Sequence, residues 1–367
     1  MIVIADDITG AAEMAGIAFA RGEDVRLVCG SPVCGCGTAT YGTTVIATDT
    51  RSMSEAEASA ETRRITSAFI LHTSAIFKKT DSALRGHVMA ELSALMEVTG
   101  FQRAVYLPAN PSKGRVIKNG TYYINNVPIH ETAFSYDPEF PAKTAVLRER
   151  FPEAEAKGII MPDAESEEDI QKVIAKYNDG KTLFAGAADL FTTFVSGSVL
   201  TGRNQTNQTN NKKEVLVLCG STQSKPLDLD IPVAPMPRKV YDGSEDISLW
   251  DTSAYQERHC LILTMPYTHR TGKTAAVHLR TMMARKTKEL ITKHCPDHLI
   301  IEGGATAWAT LQALGWTEFT ITAQLAPGVV QMSATIARQT STCESKKRVM
   351  VTLKPGSYPW GNLFSAG

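Results

Sequence analysis

The chain has 367 residues, with 38 Lys and Arg against 38 Asp and Glu, so its formal net charge is zero. That length suits two domains of ordinary size. The charge balance excludes the basic footprint of a nucleic-acid binder and the cationic face of a membrane-surface protein. No apolar run reaches the roughly 18 residues of a membrane span, and the first residues lead into a strand rather than a signal segment.

Seven cysteines are scattered through apolar or loop contexts. Cys34-Gly-Cys36 has no second pair at zinc spacing, so the thiols are read as reduced, and a cytoplasmic protein is expected.

The first element predicted is a buried strand, Ile2-Val3-Ile4-Ala5. Asp6 and Asp7 follow at its carboxyl end, then Thr9 as the expected N-cap and Gly10 for close backbone approach. A helix over 11–20 stops at Arg21-Gly22. Phosphatases with an aspartyl-phosphate intermediate place a nucleophilic Asp two residues before the Asp of a D-x-T pattern. Here that position is Ala5, which excludes the mechanism.

Strands are predicted over 24–28, 43–47, 75–77 and 104–107, with helices over 54–71, capped by Ser54, and 87–98. Four strand ends in succession carry polar groups: Asp6 and Asp7; Asp49 and Arg51; Lys79, Asp81 and Arg85; and Asn110. In a doubly wound sheet such ends gather on one edge. Arg holds a carboxylate bidentately and Asp accepts from hydroxyls, which suits a small hydroxylated anion. Ordinary loop salt bridges are the plainer reading of the same residues.

A hairpin over 120–131, strands over 157–161 and 182–185, and helices over 166–177 and 187–195 complete a first domain, 1–200. Residues 201–213 are polar and low in complexity, the composition of a linker. The second domain, 214–367, has predicted strands over 214–218, 259–265, 298–301 and 348–353. Its helices run over 273–294 and from the Gly303-Gly304 pair to Leu314, and Ala326-Pro327-Gly328 is a turn. These strand ends carry glycines, whose bare N–H groups suit phosphates, and a positive φ is expected at Gly303-Gly304. Gly272-Lys273-Thr274 lacks the upstream glycine of a P-loop, since Tyr267 stands there, and reads as a helix entry. The fold class is α/β: two α/β domains with mainly parallel sheets and a cleft between them.

Several segments, in order, carry a resemblance. They are Ala5-Asp6-Asp7-Ile8-Thr9-Gly10, Lys79-Thr80-Asp81-Ser82-Ala83-Leu84-Arg85-Gly86, and Pro108-Ala109-Asn110-Pro111 with Gly114-Arg115. Gly220-Ser221, Gly303-Gly304-Ala305-Thr306-Ala307, Pro327-Gly328 and Lys354-Pro355-Gly356 follow. The chain resembles the four-carbon acid sugar kinase family, ATP-dependent kinases of D-threonate, D-erythronate and 3-oxo-tetronate.

The resemblance implies an acid sugar on the first domain and ATP on the second. The candidate substrate set is Asp6, Asp7, Arg51, Lys79, Asp81, Ser82, Arg85 and Asn110. Asp81 is the expected proton acceptor and Asp7 the next choice. Ser221, Gly303, Gly304, Ala305, Thr306, Gly328 and Gly356 are the candidate nucleotide set, with Mg2+ on the phosphates and no metal-binding carboxylate assigned.

The chain departs from the family at Ala305, where an acidic residue is usual, and after Ser221, where Lys225-Pro226 and 227–237 replace a Thr- and Gln-rich helix. Pro355-Gly356-Ser357 is a further departure. A non-catalytic sugar-acid or nucleotide binder derived from the family is the competing reading. Neither a nucleic acid nor a membrane is an expected partner, and self-association as a homodimer stays open.

Overall fold

The computed structural model describes residues 1–30, 42–69, 75–137, 139–196, 214–221, 227, 229–266, 272–340, 343–356, 358 and 360. The Cys34-Gly-Cys36 loop, the 201–213 linker, Lys225-Pro226, Tyr267 and Ser357 lie outside the described residues. Residue contacts divide the chain into two compact units, Met1–Val25 with Val33–Thr201, and Arg26–Pro32 with Gly202–Gly367.

In chain order the elements up to residue 196 are β1 (Ile2–Ala5), α1 (Ile8–Ala20), β2 (Val25–Cys29), β3 (Thr43–Ala47), α2 (Glu55–Phe69), β4 (Ile76–Lys79), α3 (Val88–Thr99) and β5 (Arg103–Leu107). Then come β6 (Arg115–Lys118), β7 (Thr121–Ile124), β8 (Val127–Pro128), α4 (Leu147–Arg150), β9 (Ile159–Ile160), α5 (Glu167–Tyr177), β10 (Thr182–Gly186) and α6 (Ala188–Val195). The first unit's sheet has the order β3-β1-β4-β10-β5-β9, parallel throughout. Its strands are apolar on both faces, as a helix-covered parallel sheet requires: Val3, Ile4, Val45, Ile46, Phe77, Val105 and Leu183 are buried.

Register sets the site. Ala5 pairs with Ala47 and with Lys79, so the residues just beyond these three strands stand side by side. One expectation is corrected here. The cap of α1 is Asp7, not Thr9; its carboxylate accepts from the Gly10 N–H and from the Thr9 hydroxyl. A carboxylate accepts without rotating its own proton away, so it outcompetes the hydroxyl two residues on. The four polar strand ends lie on the carboxyl edge of this parallel sheet, with β10 inserted between β4 and β5. A small antiparallel sheet, β6-β7-β8, branches off after β5.

The second unit contains β11 (Val215–Cys219), β12 (Val233–Pro235), α7 (Arg238–Tyr241), α8 (Ala254–Arg258), β13 (Cys260–Thr264), α9 (Lys273–His294), β14 (His298–Glu302) and α10 (Gly304–Leu314). It ends with β15 (Glu318–Ala326), β16 (Val329–Thr340) and β17 (Cys343–Lys354). The strands β12, β13, β11, β14 and β17 pair in that order and in parallel. From β17 onward the pairing is antiparallel, through β16 and β15 to Arg26–Val28 of β2. The Arg26–Glu318 ion pair at 2.6 Å closes that edge. The sequence reading finds only residues 348–353 of this meander and its turn; β15, β16 and the first part of β17 are a correction to it. No described helix is long and apolar enough to cross a membrane.

Candidate functional site

The edge beyond β1, β3 and β4 carries a chain of alternating charges. Arg51, in the short helical turn Thr50–Ser52 after β3, donates from Nε to Asp6 at 2.9 Å and from Nη2 to Asp7 at 3.1 Å. Its Nη2 also lies 3.7 Å from Asp81. Asp81 is gripped by Arg85 through Nε at 2.8 Å and Nη2 at 2.9 Å, and it further accepts from the N–H groups of Ala83 and Arg85. Beyond it, Arg85 Nη1 stands 3.7 Å from Asp137. Gly86, at φ 95°, brings the backbone against Asp6; a Cβ there would sit 3.2 Å from its Oδ2.

The three aspartates differ in proton affinity. Burial raises the Asp6 carboxyl above its ordinary value; Arg51 opposes the rise, while neighbouring Asp7 adds to it. Burial would raise Asp7 too, but Arg51, Lys79 and the Thr9 hydroxyl outweigh it and hold Asp7 low. For Asp81 burial is outweighed by Arg51 and then Arg85, and the carboxyl lies well below the usual carboxylate range.

Lys79 is buried, donating to the Thr80 carbonyl at 2.9 Å and lying 3.8 Å from Glu13. A Cβ on Gly10 would stand 2.6 Å from Asp7 Oδ1 and 3.3 Å from Lys79 Nζ, so glycine is what lets these two groups face each other. Ser82 accepts a hydrogen bond from Arg115 through its hydroxyl, and its carbonyl accepts from Tyr122. Asn110 is buried, and its amide oxygen accepts from the Asp189 N–H at 2.9 Å, fastening the start of α6.

Beneath the edge lies a network that sequence reasoning does not identify. Lys78 and Glu91 form an ion pair with both side chains 1% exposed. Glu91 also accepts from Thr50 Oγ1 at 2.9 Å, Thr50 meets Thr48 at 2.8 Å, and Thr48 donates to the Ala5 carbonyl at 2.9 Å. The available signal was a lysine inside a four-residue buried strand, where a charge must find a partner.

In the second unit the loops after β11, β14 and β17 converge. Gly220 N–H donates to Glu302, and Gly303 N–H to Lys354, both through backbone carbonyls. A Cβ on Gly220 would overlap the Thr306 side chain, and one on Gly356 would overlap Ser221. Gly303 alone of its pair takes the positive φ, 94°; Gly304 opens α10 and Ala305 is exposed in its first turn. Gly328, at φ 76°, turns β15 into β16 with the Tyr358 ring against it. Glu302 is buried against Lys354 at 2.6 Å, and the Lys354 ammonium lies 4.7 Å from the Trp360 ring centroid. A glycine-lined helix start is a cradle that phosphate fits: its first N–H groups have no helical acceptor, and added side chains would fill the space.

Comparison with known proteins now defines the class. Residues 1–157 match the model of a sugar-binding N-terminal domain, and residues 216–358 that of a nucleotide-binding C-terminal domain. Together the two models span most of the chain, which belongs to the four-carbon acid sugar kinase family. The chain is 28% identical over 221 residues to the D-threonate kinase of Salmonella typhimurium, covering 52% of each protein. It is 26% identical over 255 residues to the D-erythronate kinase of Heliobacterium modesticaldum, covering 60% of this chain and 57% of that one. It therefore spans about half the length of these curated relatives. In fold it is similar to a Haemophilus influenzae protein of known structure, with TM-score 0.70 and 21% identity over 98% of this chain and 97% of the other.

Proposed function

We propose that the chain is an ATP-dependent kinase that phosphorylates a hydroxyl of a four-carbon sugar acid. In this reading residues 1–200 hold the acid and 214–367 the nucleotide. The observation that carries it is the run Asp6–Arg51–Asp81–Arg85 across three neighbouring strand ends. It presents several fixed carboxylates, acceptors for sugar hydroxyls, among fixed cations.

Phosphoryl transfer through a loose transition state needs orientation of the hydroxyl and charge balance more than a strong base. A carboxylate of low proton affinity therefore serves. Asp81 is fully engaged by Arg85 and two backbone N–H groups, so its role is to hold Arg85 in place. We assign the hydroxyl acceptor to Asp7 instead, whose side chain is the more exposed, 17% against 11%. Lys79, beside Asp7, would balance charge on the transferred group. The phosphates of ATP fit the glycines and N–H groups at the start of α10. Magnesium bound with the nucleotide would take phosphate and water ligands; among the described residues no group of three or more His, Cys, Asp or Glu is arranged for a metal ion.

The test is ADP formation with threonate and erythronate in the presence of ATP and magnesium. Asp7→Asn is expected to lower turnover by about 10²–10⁴-fold while the acid still binds in calorimetry. Absence of turnover with every four-carbon acid, both ligands being bound, would overturn the kinase reading.

A further inference from the structure

The cations that the sequence offers to a substrate carboxylate are largely committed within the protein. Arg51 spends Nε on Asp6 and Nη2 on Asp7. Arg85 spends Nε and Nη2 on Asp81 and faces Asp137 with Nη1. Lys79 lies against the Thr80 carbonyl and Glu13, and Glu13 is also taken by Lys113 at 2.7 Å. These ion pairs set four cations, Arg51, Arg85, Lys79 and Lys113, against five carboxylates, Asp6, Asp7, Asp81, Asp137 and Glu13. On that count the cluster holds no cation in excess of its carboxylates for an incoming anion.

Arg115 is different. Among the described residues no carboxylate lies within ion-pair distance of it. It is nonetheless fixed. Its backbone is pinned to the end of β5 by the Asn110 N–H at 2.7 Å and the Asn110 carbonyl at 3.2 Å. Its guanidinium stands 5.7 Å from the Phe134 ring centroid, and Arg85 stands 5.8 Å from the same ring. Nη1 donates to the Ser82 hydroxyl, and the Ser82 backbone is held by Tyr122, which also reaches the Pro108 carbonyl at 3.2 Å. Because the Ser82 oxygen accepts from Arg115, its O–H is left to donate. The half-buried pair is therefore a guanidinium edge from β6 and a hydroxyl from the Asp81–Arg85 stretch, both donors.

We propose that Arg115, with Ser82, takes the carboxylate of the sugar acid and so sets selectivity for acids over neutral polyols. This rests on reading the first unit as the acid-sugar site. The hydroxyl end of the molecule then faces Asp7 and Lys79. The arginine is suited to the role because its planar fork meets a carboxylate with two parallel hydrogen bonds, which lysine cannot reproduce.

The experiment is calorimetry on the full chain without nucleotide, titrating threonate and erythronate and, separately, the neutral threitol and erythritol. Arg115→Gln is expected to weaken the acids by about 10- to 100-fold, the loss of a hydrogen-bonded charge, and to leave the polyols unchanged. Arg115→Lys, which keeps the charge without the fork, should recover part of the acid affinity. Equal weakening of acids and polyols would mean that Arg115 only packs against Phe134, and unchanged acid affinity would mean that the carboxylate lies elsewhere; either overturns the inference. A wild type that binds none of the acids overturns the acid-sugar reading itself.

Discussion

Lys78→Met is expected to destabilise the first unit by about 3–5 kcal/mol, the usual cost of breaking a buried ion pair by removing one partner. Both Lys78 and Glu91 are 1% exposed in their side chains, so Glu91 would be left charged without a counterion or forced to take up a proton. The damage should spread along the hydrogen bonds that Glu91 anchors. Thr50, which donates to Glu91, immediately precedes Arg51 in the turn after β3. Hydrogen exchange reads this locally, without assuming that both units unfold together. Protection of β1, β4 and α3 amides should fall by about two to four orders of magnitude, while that of β11 and β14 stays as it was. Adding Glu91→Gln to Lys78→Met should restore part of the loss, because a neutral amide is less costly to bury than a lone carboxylate. A loss below about 1 kcal/mol would show that the pair contributes little net stability.

How much of this was legible in the sequence depends on where each residue's partners lie. Asp6, Asp7, Arg51, Asp81 and Arg85 could be grouped in advance because each follows a short apolar run, and parallel strands bring their ends together. Lys78 could not be given a role by the same logic. Its partner is in α3, 13 residues on, and is chosen by packing rather than by spacing. Arg115 belongs to a side sheet whose position against Ser82 no periodicity encodes. Asn110 was grouped correctly by sequence position but serves α6, because β10 lies between β4 and β5.

The meander of the second unit was missed for another reason. Phe319 and Ile321 alternate with half-buried neighbours as a strand should. After Ile321, however, Thr322 and Gln324 join a partly exposed ribbon with shifts in its register, and the apolar signal fades.

The glycine edge yields the second large effect. Gly303→Val is expected to weaken ATP by about 2 kcal/mol or more, some 30-fold, without altering acid affinity. The reason is backbone conformation first. Gly303 sits at φ 94°, a region closed to β-branched residues. It also packs on the neighbouring loop: a Cβ would lie 3.5 Å from the Gly220 carbonyl carbon and oxygen and 3.7 Å from Ser221 N. Valine would have to shift the Gly303 peptide, and with it the first turn of α10, whose N–H groups are the proposed phosphate donors. Gly304 has no such constraint, being already the first helical residue, so Gly304→Ala should cost the fold little. Calorimetry with ATP alone and with the acid alone separates the outcomes. Loss of both ligands from a folded protein would place them on one site, contrary to the division of residues 1–200 and 214–367. Retention of both would make Gly303 a turn former only, and the phosphates would then be held away from α10.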